Sequence, residues 1–338
     1  MKRIKIIPVG LGPVGQKIVK YVVERNGLEI VAAVDPAADK AGKKLSELCG
    51  LNEDSGIKIS DDMKSAVKEN NKPDVALLAT VSSLQRIIPQ IEEIAKYGIN
   101  VVSTCEELVF PWATQPELAR RLDEIAQKYG ISVLATGVNP GFLMDFLPIA
   151  LTGVCQEVKS IKVSRIQDAS FRRVPFQKKI GAGLSLDEFE EKKKTETLCH
   201  IGLTQSMQMI ARRMGWKLDK TEDILTPIIN PHLNPSPTSG EGKREGGGIA
   251  TGVQQIGKGY VQGEEKITLL FRASIGEKNP RDTIEIKGIP EITSTIAGGI
   301  NGDVATCAII VNAIKSIIDT SPGLKTMTDI SLISSSSL

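Results

Sequence analysis

The apolar positions of this chain fall into two regimes. Through residues 1–150, short continuous apolar runs alternate with stretches whose apolar residues recur at helical spacing. Ile4, Ile6, Ile7 and Val9 predict a buried strand, and Val14, Ile18, Val19, Val22 and Val23 the inner face of a helix. Leu28–Val34 predicts a second strand, 57–59 a short third, Asp74–Thr80 a fourth, Ile99–Thr104 a fifth and Ile131–Thr136 a sixth. Helices are expected over Leu84–Tyr97, with Ile87, Ile88, Ile91 and Ile94 inward, and over Pro116–Tyr129. Repeated βα units with continuously apolar strands predict an α/β fold: a doubly wound parallel sheet covered on both faces. Pro8 breaks the pattern. It lies inside the first strand, where a central position needs its N–H.

From Val154 onward the regime changes. Val158, Ile161, Val163 and Ile166 read as strand, and Phe189–Gly215 as mostly helix with a break near Cys199–Gly202. The stretch 230–248 is rich in Pro and Gly and predicts a loop. Lys266–Ser274 and Thr283–Lys287 read as strands of a mixed or antiparallel sheet. Gly302–Asp319 predicts a long apolar helix that returns to the first domain. The expected organisation is a Rossmann domain over 1–150 and an α+β substrate and dimerisation domain over 151–330.

The turn after the first strand reads V-G-L-G-P-V-G, and the second strand ends in Asp35. Strand, glycine-rich turn, helix, strand and acid together form the dinucleotide-binding fingerprint. In it Gly10 makes the tight turn, Gly12 lets the backbone approach a pyrophosphate, and Gly15 lets helix and strand pack closely. Pro13 and Val14 open the helix whose free amides receive phosphate. A carboxylate at Asp35 accepts ribose hydroxyls and repels a 2′-phosphate, and no Arg follows it closely. NAD is therefore the expected cofactor; Lys40, Lys43 and Lys44 leave NADP possible.

Ligands of such sheets bind at the carboxyl ends of the strands. Thr80 closes the fourth strand, and S-T-C-E-E-L closes the fifth with Glu106 and Glu107. Two acids there are either solvated loop residues or proton-handling groups beside the nicotinamide. After the sixth strand comes G-V-N-P-G-F-L-M-D. Asn139 can bond the nicotinamide amide or the substrate, and Phe142 and Met144 can line an apolar pocket; Asn-Pro-Gly is equally plain turn chemistry. The polar run from Arg165 to Gly183 holds Arg165, Asp168, Arg172 and Lys178. An amino-acid-like substrate needs a cation and an acid of this kind, although a charged surface strand has the same look. His200 on an apolar helix is a substrate contact or a structural histidine.

Composition narrows the classes. The 338 residues suit two domains, and a net charge of +2 suggests neither a nucleic-acid nor a membrane surface. No apolar run reaches membrane-span length, and the start shows no signal peptide. Five scattered cysteines and two histidines lack metal-ligand spacing, so no metal site is expected and the thiols fit a reducing cytoplasm.

These segments, with G-D-V-A-T-C-A-I-I-V-N-A-I near the C-terminus, resemble the 2,4-diaminopentanoate dehydrogenase and native amine dehydrogenase family, whose first domain is like that of dihydrodipicolinate reductase. The resemblance runs from about Lys5 to Asp329 and implies NAD(P), a homodimer, and reversible oxidative deamination of an amine to a ketone plus ammonia. It puts a catalytic glutamate at Glu106 or Glu107. Glu107 is preferred, because related sugar and biliverdin-type dehydrogenases carry C-E-K-P there and their catalytic lysine falls on Glu107. The expected substrate is 2,4-diaminopentanoate, with simple alkyl amines as the alternative and a non-catalytic NAD sensor as an alternative of another class. Dihydrodipicolinate reductase activity itself is not expected, because its paired histidines are missing.

Overall fold

The computed structural model describes residues 3–172, 174–194, 198, 201–230 and 248–335. It divides into two compact units, Met1–Phe142 with Gly302–Leu338, and Leu143–Asn301. The first contributes β1 (Ile4–Val9), β2 (Leu28–Ile30), β3 (Ala33–Val34), β4 (Ile59–Ser60), β5 (Val75–Leu78), β6 (Asn100–Ser103), β7 (Ser132–Ala135) and, from the far end of the chain, β14 (Gly323–Lys325). The second holds β8 (Glu157–Asp168), β9 (Lys220–Asn230), β10 (Ile249–Val261), β11 (Glu264–Ser274), β12 (Arg281–Ile289) and β13 (Ile292–Ala297).

The first sheet runs β14-β7-β6-β5-β1-β3-β4, with β2 also paired to β1, and every pairing in it is parallel. Ile6, Ile7, Val75, Ala76, Val101, Val102, Val133 and Leu134 have essentially no exposure, which is why these strands read as unbroken apolar runs. Helix Pro13–Val23 buries Gly15, Ile18, Val19 and Val22, but Val23 turns to solvent at 53% exposure, contrary to the expected face. Helix Leu84–Ala95 buries all four of its isoleucines. Helix Gly302–Ile318 is apolar nearly all round and packs on helix Pro13–Val23 and on β6 and β7. Burial on several sides removes the polar face that a surface helix keeps.

Pro8 has a local explanation. The expected second strand is interrupted at Val31–Ala32, so β2 and β3 pair separately with β1. From Ile6↔Ile30 to Val9↔Val34, β1 advances three residues and its neighbour four. Ile6 O accepts from Val31 N and Gly10 N donates to Val34 O on that side, while Lys5 O and Val9 O accept from Asp74 N and Ala79 N on the other. By this alternation Pro8 faces the interruption, where no ladder bond is lost. A bulge opposite the proline is the arrangement that tolerates it.

The second unit is a mixed sheet ordered β13-β12-β8-β11-β10-β9. β8 is one continuous strand between β12 (antiparallel) and β11 (parallel), not a surface strand. On one face Ala250, Val253, Phe271 and Ala273 pack with Phe189 of helix Leu186–Lys194. Helix Leu203–Met214 approaches β10 so closely that a side chain at Gly257 would meet Leu203 at 2.9 Å. The opposite face carries ion pairs such as Lys162–Glu285 at 2.8 Å. β9, β10 and β13 were not foreseen. In β10 five glycine and glutamine positions dilute the apolar alternation. The predicted loop largely falls outside the described residues.

Candidate active site

The candidate residues of the first unit lie at the carboxyl ends of its parallel strands. In sheet order these ends carry Asn139 after β7, Glu106 and Glu107 after β6, Thr80 after β5, Gly10–Gly15 after β1 and Asp35 after β3. Neighbouring strands are about 4.8 Å apart, so the row from Asp35 to Asn139 spans about 19 Å of sheet edge.

The three glycines of the turn differ in what surrounds them. Gly10 has φ +88°, and a Cβ there would lie 2.6 Å from Thr80 Cγ2 and 2.7 Å from the Ala79 carbonyl oxygen. A Cβ at Gly15 would fall on the Gly10 carbonyl oxygen. Gly12, at φ −70° and ψ −176°, has nothing within 4 Å of that position. Gly10 and Gly15 are thus required by the fold, whereas Gly12 borders open space at the start of a helix. The first-turn amides there lack intrahelical acceptors, so this opening fits a pyrophosphate.

Asp35 is 5% exposed. Its Oδ2 accepts from the Leu11 amide at 2.7 Å and from Lys40 Nζ at 2.8 Å, and its Oδ1 from the Ala37 amide at 3.0 Å. Burial pushes its pKa up, but the Lys40 hydrogen bond and the two amides outweigh it and hold the carboxyl below its ordinary value. Asp35 is therefore an anion tied to the glycine turn, with acceptor capacity left for a ribose.

Glu107 Oε2 accepts from the Leu84 amide at 2.7 Å and from Gln115 Nε2 at 3.1 Å, and the Glu107 amide donates to Ser82 O at 3.2 Å. Its carboxylate caps the helix after β5, where Ser83 offers no side-chain bond. Both glutamates are half-buried on the turn Glu106–Leu108. Thr80 Oγ1 donates to Gln90 Oε1 at 2.7 Å. Asn139 is 9% exposed and precedes a cis proline peptide; its loop is tied to helix Gly302–Ile318 by the Val138 amide, which donates to Thr306 Oγ1 at 3.3 Å. Below that loop, Thr136 Oγ1 is buried with no protein partner.

Phe142 ends the first of the two segments that make up the first unit and is half-buried. In the second unit Met144 is fully buried. Arg165, at 2% exposure, faces Asp282 at 3.4 Å and donates to Ile300 O at 2.9 Å. Burial lowers its pKa to about 10 against the pull of Asp282. Asp168 Oδ1 accepts from the Ser170 and Gly276 amides and closes a turn. Arg165 and Asp168, expected at a substrate's two charged ends, are thus each engaged by neighbours within the second unit. Arg172 stacks 4.0 Å over Phe176 and donates to Gln167 Oε1, and Lys178 is exposed. His200 lies outside the described residues. Sequence reasoning did not find Lys40 as a partner of Asp35, nor Gln115 as a partner of Glu107. An acid followed five residues later by a lysine is too common to signal a pair, and nothing marks Gln115. Among the described residues no cluster of His, Cys, Asp and Glu could hold a metal ion, and no helix is long and apolar enough to cross a membrane.

A glycine turn that borders open space at a helix start, a buried acid at the next strand end and a glutamate pair along one parallel sheet edge are the arrangement of a dehydrogenase that uses a nicotinamide dinucleotide. Residues 142–337 match the family model described as 2,4-diaminopentanoate dehydrogenase C-terminal domain, and residues 4–108 match that of dihydrodipicolinate reductase, N-terminus. The chain belongs to the 2,4-diaminopentanoate dehydrogenase family. It is 33% identical over 336 residues to a 2,4-diaminopentanoate dehydrogenase of Acetoanaerobium sticklandii, covering 98% of this chain and 94% of the relative. An amine dehydrogenase of Streptomyces virginiae is 23% identical over 96% and 95% of the two chains. The solved structure of an amine dehydrogenase from Mycobacterium smegmatis shares the fold, with a TM-score of 0.82, 22% identity, and coverage of 98% and 97%.

Proposed function

We propose that this protein catalyses the reversible oxidative deamination of 2,4-diaminopentanoate to 2-amino-4-oxopentanoate and ammonia, preferring NAD over NADP. The observation that carries this reading is a full-length likeness to a 2,4-diaminopentanoate dehydrogenase in a chain whose sheet edge holds Glu106 and Glu107. Gly12 and the amides of Val14 and Gly15 would hold the pyrophosphate, Asp35 the ribose, and Thr80 and Asn139 the nicotinamide half. When bound, the cofactor accepts a hydride from the amine-bearing carbon.

The chain's own part is proton handling. Glu107 is the proposed acid–base group, with Glu106 beside it. The Leu84 and Gln115 donors hold one oxygen of Glu107 and leave Oε1 to face a substrate. In the forward direction the carboxylate takes a proton from the ammonium group, freeing the lone pair that expels hydride. That proton passes to solvent, and the regenerated carboxylate stabilises the substrate's iminium. It next takes a proton from the attacking water and returns it to nitrogen, so that ammonia leaves the carbinolamine as the hydroxyl proton goes back to the carboxylate. Arg172 and Lys178 are the proposed contacts of the substrate carboxylate. A homodimer in the cytoplasm completes the proposal.

The test is NADH oxidation that depends on ammonia and 2-amino-4-oxopentanoate together. Turnover of simple alkyl ketones in preference to that substrate would favour a plain amine dehydrogenase. NADH binding with no turnover of either would favour a sensor.

A further inference from the structure

We infer that Lys40 sets the cofactor preference, by neutralising Asp35 and offering its remaining N–H donors to a 2′-phosphate. The inference rests on the reading that Gly12 and Asp35 seat the dinucleotide.

An acid at the end of this strand ordinarily excludes NADP, because two anions would meet. Here the acid is not bare. Segment 37–43 turns back on itself, with the Lys40 amide on Ala37 O and the Lys43 amide on Lys40 O. That fold brings Lys40 Nζ to 2.8 Å from Asp35 Oδ2, with the lysine side chain 21% exposed and the aspartate 7%. A phosphate arriving there meets a neutral pair rather than a carboxylate.

An ammonium carries three donors, and Asp35 takes one. Lys40 can therefore stay on Asp35 and still bond a phosphate oxygen one hydrogen-bond length from the ribose acid. Lys44 is turned to Asp54, at 2.7 Å, and not to Asp35. Lys43 is exposed. The ribose hydroxyls of NAD need only Asp35, so the acid and the lysine serve the two cofactors separately.

The experiment is calorimetric binding of adenosine 5′-monophosphate and adenosine 2′,5′-bisphosphate to the unliganded protein. The pair differs only in the 2′-phosphate, and no turnover is needed. Lys40→Met should raise the bisphosphate-to-monophosphate ratio of Kd values about tenfold or more, the worth of a charge-assisted hydrogen bond. Lys40→Arg should hold the ratio near that of wild type, and Asp35→Asn should lower it. Gly12→Val is the control for the seat and should abolish binding of both. If Gly12→Val abolishes both and Lys40→Met leaves the ratio unchanged, the Lys40 inference is wrong and the seat stands. If Gly12→Val leaves both intact, the seat itself is misassigned and the inference falls with it.

Discussion

Glu107 caps the helix that starts at Leu84: its Oε2 accepts the Leu84 amide at 2.7 Å, across 23 residues of sequence. A residue proposed for catalysis is thus also a structural cap, and the two roles predict different substitution patterns. Glu107→Gln keeps an oxygen for the Leu84 amide and removes charge and proton transfer. It should cut kcat by about 10²–10⁴-fold with little change in Tm. Glu107→Ala should cut kcat similarly and also destabilise the fold by about 1 kcal/mol, the usual cost of a lost cap. Glu106→Gln is the comparison: if it is the damaging change and Glu107→Gln is mild, the acid–base assignment moves to Glu106.

The turn glycines should separate in the same way. Gly15→Ala would press a methyl into the Gly10 carbonyl, so thermal unfolding should show a large loss of stability. Gly12→Val meets open space in an allowed conformation, so Tm should hold while NADH no longer quenches tryptophan fluorescence. A Gly12 variant that binds NADH normally would remove the cradle from this turn.

The Arg165–Asp282 pair should behave as a buried ion pair. Removing one partner, as in Arg165→Met, should cost about 3–5 kcal/mol in urea unfolding, because Asp282 is left alone in the interior. Burial already raises the Asp282 pKa against the pull of Arg165. The double variant Arg165→Met with Asp282→Leu should recover most of the loss. Failure to recover would mean that the bonds to Ile300, rather than the charge pair, hold this part of the sheet together.

Asp35 predicts an acid-side dependence. Its pKa is lowered from 3.8 in the folded protein, so the folded state binds its proton less readily than the unfolded chain. Its contribution is present above the ordinary value and fades as pH falls through the lower folded value. The stability advantage of wild type over Asp35→Asn should therefore be constant from pH 7 to 5 and shrink below about pH 4. An advantage that grows on acidification would reverse the sign.

Cys105 adjoins the glutamates, but burial pushes its thiol up to about 12, and that of Cys49 to about 11. Both should stay protonated and resist iodoacetamide at pH 8, while the half-buried Cys155 reacts before either in peptide mapping. Rapid labelling of Cys105 in the native protein would reopen it as a chemical group of the site.

Sequence alone determined the parallel sheet, its helices and the edge on which Gly10, Asp35, Thr80, Glu107 and Asn139 stand. Continuous apolar strands and 3.6-residue periodicity are local consequences of burial, and strand ends follow from strand positions. Tertiary structure decided the partners. Pro8 is tolerated because the neighbouring strand carries an extra residue opposite it, and Lys40 meets Asp35 because a turn folds back. Leu84 and Gln115 bind one glutamate oxygen, and Arg165 turns inward to Asp282 across 117 residues. β14 joins the first sheet from the opposite end of the chain. A charge or a hydrogen bond acts over a few ångströms of space, and one-dimensional order does not carry which distant residues the fold brings within that range.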